Sequence, residues 1–139
     1  MTKKGSKPKA SHPVAPHVII VEDNDDTAHA LFVVFSASGY GVTVAHTASA
    51  AAEACQTVRA TRGRAADLML LDLTLPDSGG LTALARATAA GVAPRVTVAL
   101  TGHDDAAIVA ECRAAGCLEV MLKPVSLTDL VTRANAWTR

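Results

Sequence analysis

The chain alternates short continuous apolar runs with longer segments whose apolar residues recur every three or four positions. Four of the short runs end on a residue able to handle phosphate. Val18-Ile19-Ile20-Val21 leads into Glu22-Asp23, and Leu68-Met69-Leu70-Leu71 leads into Asp72. Val96-Thr97-Val98-Ala99-Leu100 leads into Thr101, and Val120-Met121-Leu122 leads into Lys123. Parallel strands buried on both faces read as continuous apolar runs. In open parallel sheets, sites form just beyond the carboxyl ends of the strands. The runs therefore predict one site on one sheet edge: three carboxylates, one hydroxyl and one ammonium.

The full pattern predicts strands over 17–21, 42–45, 67–71, 96–100 and 119–122. Helices fill the intervals. The first spans 25–37, with Asn24 or Asp25 as N-cap, Gly39 near its end, and Leu31, Val34 and Phe35 as its core-facing stripe. An alanine-rich helix over 48–61 stops before Gly63. A loop with Pro76 and Gly79-Gly80 opens a helix over 80–90 that ends at Gly91. Asp104 and Asp105 favour the first turn of the next helix, which ends at Gly116. Ser126, followed three residues later by Asp129, resembles a capping box opening the last helix, to about 138. Five βα units with short connections and right-handed crossovers form an open parallel sheet with helices on both faces. The predicted class is α/β, doubly wound.

At 139 residues the chain is one domain, and a domain of this size buries roughly 70% of its unfolded surface without staples. The formal net charge is zero but unevenly spread. Lys3, Lys4, Lys7 and Lys9 precede every acid; without them, 9 basic residues face 13 acidic ones. An acidic body is a poor match to nucleic acid. Residues 1–16, with Pro8, Pro13 and Pro16, read as a flexible basic arm ahead of a domain over 17–139. Cys55, Cys112 and Cys117 lack metal-ligand spacing and suggest buried thiols in a reducing cytoplasm. His12, His17, His29 and His46 show no paired spacing for metal ligation. There is no secretory signal and no run of membrane-spanning length.

Mg²⁺ prefers oxygen ligands and is usually held by one or two carboxylates plus phosphate. Asp23 and Asp72 are candidate ligands, with the backbone carbonyl of Thr74, and Glu22 acts directly or through water. Asp25 and Asp26 fit ordinary helix N-terminal charge better. Asp72 is the candidate nucleophile, since a carboxylate can accept a phosphoryl group as an acyl phosphate. Lys123 and the Thr101 hydroxyl are candidates to contact phosphoryl oxygens, Gly102 leaves room beside them, and His103 reads as a loop histidine.

Taken together, these residues resemble the receiver domains of two-component response regulators, over about 17–139. Val-Glu-Asp-Asn at 21–24 resembles the acidic strand end. The segment 71–80, Leu-Asp-Leu-Thr-Leu-Pro-Asp-Ser-Gly-Gly, is similar to the phosphoacceptor segment, including Pro76 and Gly80. Ala-Leu-Thr-Gly-His at 99–103 is similar to the switch threonine and its small neighbour, and Leu-Lys-Pro-Val at 122–125 to the lysine strand end. The resemblance implies a flavodoxin-like sheet of order 2-1-3-4-5 with five helices. It implies phosphotransfer from a histidine kinase or histidine phosphotransfer protein to Asp72, with Mg²⁺ (or Mn²⁺), and a cis Lys123–Pro124 bond. Signalling would follow by contact with a downstream protein, without nucleic acid or membrane, from a cytoplasmic monomer or weak dimer rather than an enzyme. The family often carries an aromatic residue three positions before the lysine; here it is Val120, and the only aromatics are Phe32, Phe35, Tyr40 and Trp137.

Three other readings use the same residues. A receiver that signals without phosphorylation is motivated by Val120 alone. A receiver fused to a sensor kinase fits the Leu-Pro-Asp-Ser-Gly-Gly and Ala-Leu-Thr-Gly segments, although Met1 favours a complete protein. An Asp-nucleophile phosphatase usually needs an acid two residues after the nucleophile, where this chain has Thr74. A transcription factor is disfavoured because no DNA-binding segment follows the last helix.

Overall fold

The computed structural model describes residues 15–75, 77, 79–103 and 105–139. Pro76, Asp104 and most of the predicted basic arm lie outside the described residues. The chain runs β1 (His17–Val21), α1 (Asp25–Ala37), β2 (Gly41–Ala45), α2 (Ala48–Arg62), β3 (Leu68–Asp72), α3 (Gly80–Ala89), β4 (Val96–Thr101), α4 (Ala106–Ala115), β5 (Glu119–Leu122) and α5 (Leu127–Trp137). All strand pairs are parallel, in the order β2-β1-β3-β4-β5. This is the doubly wound α/β sheet that the patterning predicts, in the flavodoxin-like order that the resemblance implies.

Period-two alternation in the central strands sorts the core into two layers. Ile19, Val21, Met69, Leu71 and Ala99 face one layer, covered by Ala51, Cys55 and Val58 of α2, Ala83 and Leu84 of α3, and Cys112 of α4. Val18, Ile20, Leu68, Leu70, Val98 and Leu100 face the other, covered by Leu31 and Phe35 of α1 and Leu130 and Ala134 of α5. Both faces of these strands are buried, which is why β1 and β3 read as unbroken apolar runs. Among the described residues, no helix is long and apolar enough to cross a membrane.

Helix ends follow side-chain chemistry. Asn24 caps α1 by accepting from Thr27 N–H, and Thr47 caps α2 by accepting from Ala50 N–H. Gly63 and Gly116 close α2 and α4 in the left-handed conformation. Ser126 accepts from Asp129 N–H at 3.3 Å, the first half of the expected capping box. Two expectations shift. The helix expected to hold Asp105 in its first turn begins at Ala106, because the Asp105 side chain accepts from Ala107 N–H and serves as the cap instead. Strand three begins at Leu68 and includes Asp72, so Asp67 sits outside it, with its carboxylate accepting His17 N–H at 2.8 Å.

Gly80 fixes how closely α3 seats on the end of β3. A Cβ there would lie 2.7 Å from Leu71 Cγ and 2.8 Å from the Asp72 carbonyl oxygen. Gly80→Ala should therefore push α3 away from the strand that ends in Asp72. Overpacking of this kind costs roughly 1–3 kcal/mol, to be read as a lower urea midpoint with an unchanged slope.

Candidate functional site

Parallel register brings the ends of β1, β3 and β5 to one edge of the sheet. Val21 pairs with Leu71, Asp72 with Leu100 and Thr101 with Leu122. The chain leaves each strand there, so Glu22, Asp23, Asp72 and Lys123 meet although they are far apart in sequence. Glu22 and Asp72 are buried and Asp23 is exposed, and one carboxylate oxygen from each lies within 4.8 Å of the others.

Each buried carboxylate is held by named donors. Glu22 Oε2 accepts Asn24 N–H at 3.2 Å, and Oε1 accepts the Lys123 ammonium at 3.3 Å. Asp72 Oδ1 accepts Thr74 N–H at 3.0 Å and the Thr74 hydroxyl at 2.8 Å, and lies 3.2 Å from Lys123 Nζ. Asp72 Oδ2 is buried and accepts nothing from the described residues. One carboxylate oxygen is thus saturated and the other is desolvated with its lone pairs unused, a costly state for a buried charge.

The electrostatics follow from these contacts. Burial pushes the Glu22 carboxyl above the usual range, and the nearby Asp72 pushes the same way against Asn24 N–H and Lys123. Burial would also raise Asp72, but the two Thr74 donors, Glu22 and Lys123 outweigh it and hold Asp72 below the usual range. For Lys123, burial works to lower its pKa, yet the Asp72 and Glu22 carboxylates prevail and raise it. The site therefore keeps a carboxylate at Asp72 and an ammonium beside it.

The remaining predicted positions are also at this edge. Thr101 is buried, and its hydroxyl oxygen accepts His103 N–H at 3.1 Å, so it is engaged with its own loop. Its carbonyl accepts Lys123 N–H at 2.7 Å, tying β4 to the start of the lysine loop. Gly102 is exposed, and a Cβ built on it meets nothing within 4 Å. The Lys123–Pro124 bond is cis, as the resemblance implied. Val120 is half-buried, opposite Ala99 in register, and packs against the α2–α3–α4 layer.

Two contributors, His46 and Asp77, escaped sequence reading, and Thr74 enters through groups other than its expected carbonyl. Thr74 meets the site through its N–H and hydroxyl, both on Asp72. His46 Nδ1 lies 3.0 Å from the Glu22 carbonyl oxygen, bracing the end of β1 from the β2–α2 loop. Asp77, five residues past the candidate nucleophile, accepts Ala48 N–H at 2.8 Å and Ser49 N–H at 3.0 Å, so it caps α2 from the β3–α3 loop. Only the last had a signal, since an acid suits a helix N-terminus, but its distance from α2 in sequence hid the pairing.

Comparison with known proteins bears on the same region. A family model described as the response regulator receiver domain matches residues 18–135. A cyclic di-GMP phosphodiesterase of Thermotoga maritima is 33% identical over 110 residues, covering 79% of this chain and 27% of that protein. The TorCAD operon transcriptional regulatory protein TorR of Escherichia coli is 31% identical over 122 residues, covering 86% of this chain and 48% of that protein. The chain thus spans about half or less of the length of these relatives. Among solved structures, a CheY-like receiver domain protein from Methanospirillum hungatei superposes with a TM-score of 0.76 at 21% identity, covering 88% of this chain and 93% of that one. A chain of the CheX–CheY–BeF3–Mg²⁺ complex from Borrelia burgdorferi superposes at 0.74 with 20% identity, covering 87% of each. At these identities the superpositions establish the shared fold.

Proposed function

The chain belongs to the response regulator receiver domain family, and from that premise we propose that it accepts a phosphoryl group on Asp72 from a histidine kinase or histidine phosphotransfer protein. The observation that carries this is Asp72 Oδ2, buried, unpartnered and on the same carboxylate that Lys123 holds through Oδ1. In the proposed step a carboxylate oxygen of Asp72 attacks phosphorus. The P–N bond to the donor histidine breaks, its electron pair stays on the imidazole, and an acyl phosphate forms. Lys123, already at the carboxylate, would neutralise one phosphoryl oxygen. Thr101 would contribute its hydroxyl after giving up its contact with His103, and Gly102 leaves that approach open.

The donors suit a divalent cation. One oxygen from each of three carboxylates lies within 4.8 Å of the others, and one buried oxygen has no partner among the described residues, an arrangement of hard oxygen ligands that fits Mg²⁺ or Mn²⁺. Glu22, Asp23, Asp72 and the Thr74 carbonyl are the proposed ligands. When bound, the cation would offset the charge gathering on the phosphoryl oxygens. Orientation is left to this chain: Thr74 fixes the Asp72 carboxylate by two hydrogen bonds, and Asn24 N–H fixes Glu22.

The domain proper is proposed to span 17–139, with residues 1–16 as a basic arm. With Val120 where an aromatic switch often stands, output to a downstream protein is proposed to run through backbone and loop rearrangement rather than a ring flip. The protein would act as a monomer or weak dimer, without nucleic acid or membrane, and without turnover of an external substrate. Three free buried thiols suit the cytoplasm. Phosphoramidate, a small P–N donor, tests the reading. With Mg²⁺ the intact mass should rise by one phosphoryl group that hydroxylamine removes, and EDTA should prevent the gain. No gain with either phosphoramidate or a phosphorylated kinase would overturn it.

A further inference from the structure

At the opposite edge of the sheet, beyond the amino ends of β1, β3 and β4, three guanidiniums converge on one carboxylate. Asp67 Oδ2 accepts from Arg62 Nη2 at 3.2 Å and lies 3.7 Å from Arg64 Nη2, while Oδ1 accepts from Arg95 Nη1 at 3.0 Å. Oδ2 also accepts His17 N–H. Both oxygens of this acid are committed, and three positive charges share one negative charge.

Arg62 is largely buried, and it also donates to the carbonyls of Ala65 and Ala15. Arg64 and Arg95 differ. Their side chains are 48% and 45% exposed, and among the described residues neither has a side-chain partner besides Asp67. Together with Pro16, Asn135, Thr138 and Arg139 they line a cleft of about 590 Å³, in which Asp67 is the one acidic side chain among the described residues. Asn135 Oδ1 accepts the Tyr40 hydroxyl at 2.9 Å, so its amide NH₂ remains as a donor. The residues before Ala15 carry four lysines and no acid, so that segment brings no competing carboxylate.

We propose that this cleft binds a small phosphate-bearing anion, the terminal phosphate of a nucleotide or a free phosphate, through Arg64 and Arg95. Guanidinium forks pair with phosphate oxygens two at a time, and a dianion matches the cluster's excess charge. The volume lies within the range of small-molecule sites, roughly 300–1,000 Å³. A recess with two half-exposed guanidiniums suits one phosphate better than the continuous track of a nucleic acid backbone. The site is independent of the phosphoacceptor edge and does not rest on its assignment.

The test titrates the ¹⁵N-labelled full chain with inorganic phosphate and, separately, with ADP, in the absence of divalent cations. Saturable amide shifts confined to the surroundings of Arg64, Arg95 and residues 135–139 are expected. Tighter binding of ADP than phosphate would identify a nucleotide, and equal binding the phosphate group alone. Arg64→Gln leaves Asp67 its contacts with Arg62, Arg95 and His17, so it should keep the native spectrum and weaken binding by about 10-fold or more, the loss of a charge-assisted hydrogen bond. Absence of saturable shifts with both probes, shifts that Arg64→Gln leaves unchanged, or binding of a DNA oligonucleotide alone would each overturn the proposal.

Discussion

Replacing Asp72 with asparagine is expected to abolish phosphoryl uptake while leaving the chain folded. The amide has nearly the same shape, and its carbonyl oxygen can still accept the Thr74 N–H and hydroxyl that Asp72 Oδ1 accepts at 3.0 and 2.8 Å. It cannot form an acyl phosphate, because its nitrogen lone pair is delocalised and its oxygen carries no charge. Stability is expected to change by no more than about 1 kcal/mol, because two terms oppose each other. Lys123 loses one of its two carboxylate partners, Asp72 at 3.2 Å, but keeps Glu22 at 3.3 Å. Against that, one negative charge leaves a group of three carboxylates within 4.8 Å. Intact mass after exposure to phosphoramidate and Mg²⁺ reads the first effect, and thermal unfolding without Mg²⁺ reads the second. Equal labelling of wild type and Asp72→Asn would move the phosphoacceptor elsewhere.

The largest loss of stability is expected at the other edge of the sheet, from Asp67→Ala. Asp67 is buried, and its removal leaves His17 N–H without its acceptor and three guanidiniums facing one another. Breaking a buried charge network from one side costs about 3–5 kcal/mol; the half-exposure of Arg64 and Arg95 places this case near 3. The same contacts set a pH dependence. Burial would raise the Asp67 pKa, but His17 N–H, Arg95, Arg64 and Arg62 outweigh it and hold the carboxyl below its usual value. A depressed folded-state pKa gives stability that is complete above the unfolded value, about 3.9, and lost as pH falls through the folded one. The gap between wild type and Asp67→Ala in urea unfolding should therefore be widest at neutral pH and narrow below about pH 4. A gap that stays constant to strong acid would mean that the carboxylate's charge is not what holds this edge.

These two acids show what sequence can and cannot reveal. The place of Asp72 was legible because an acid closing an apolar run in a parallel sheet must emerge at the carboxyl edge, beside the ends of the neighbouring strands. Glu22, Asp23, Thr101 and Lys123 were legible for the same reason. The pattern makes Asp67 the first strand residue, since it abuts the apolar run from 68 to 71, and nothing local distinguishes a ladder residue from an acid that anchors three arginines. Its partners Arg62, Arg64 and Arg95 come from two separate loops and a helix end, and only the folded register brings them together. Thr74 was expected to act through its carbonyl, whereas its contacts with Asp72 run through its N–H and hydroxyl. Side-chain rotamers of this kind depend on the tertiary setting and leave no periodic trace. The alternation that sorts residues such as Ile19 and Ile20 to opposite layers was fully present in the sequence, because strand geometry alone fixes it.

The cap that Asp77 places on α2 has a mechanical consequence. The loop that leaves Asp72 also supplies the carboxylate that closes the first turn of a helix 29 residues earlier in the chain. Loop and helix are fastened by two hydrogen bonds, at 2.8 and 3.0 Å, that no other part of the loop duplicates among the described contacts. A rearrangement of that loop must either drag the start of α2 with it or leave two amide protons exposed. A displacement of the loop beside Asp72 would therefore be felt first at the start of α2, next to β2, and not on the β5 side where Val120 stands.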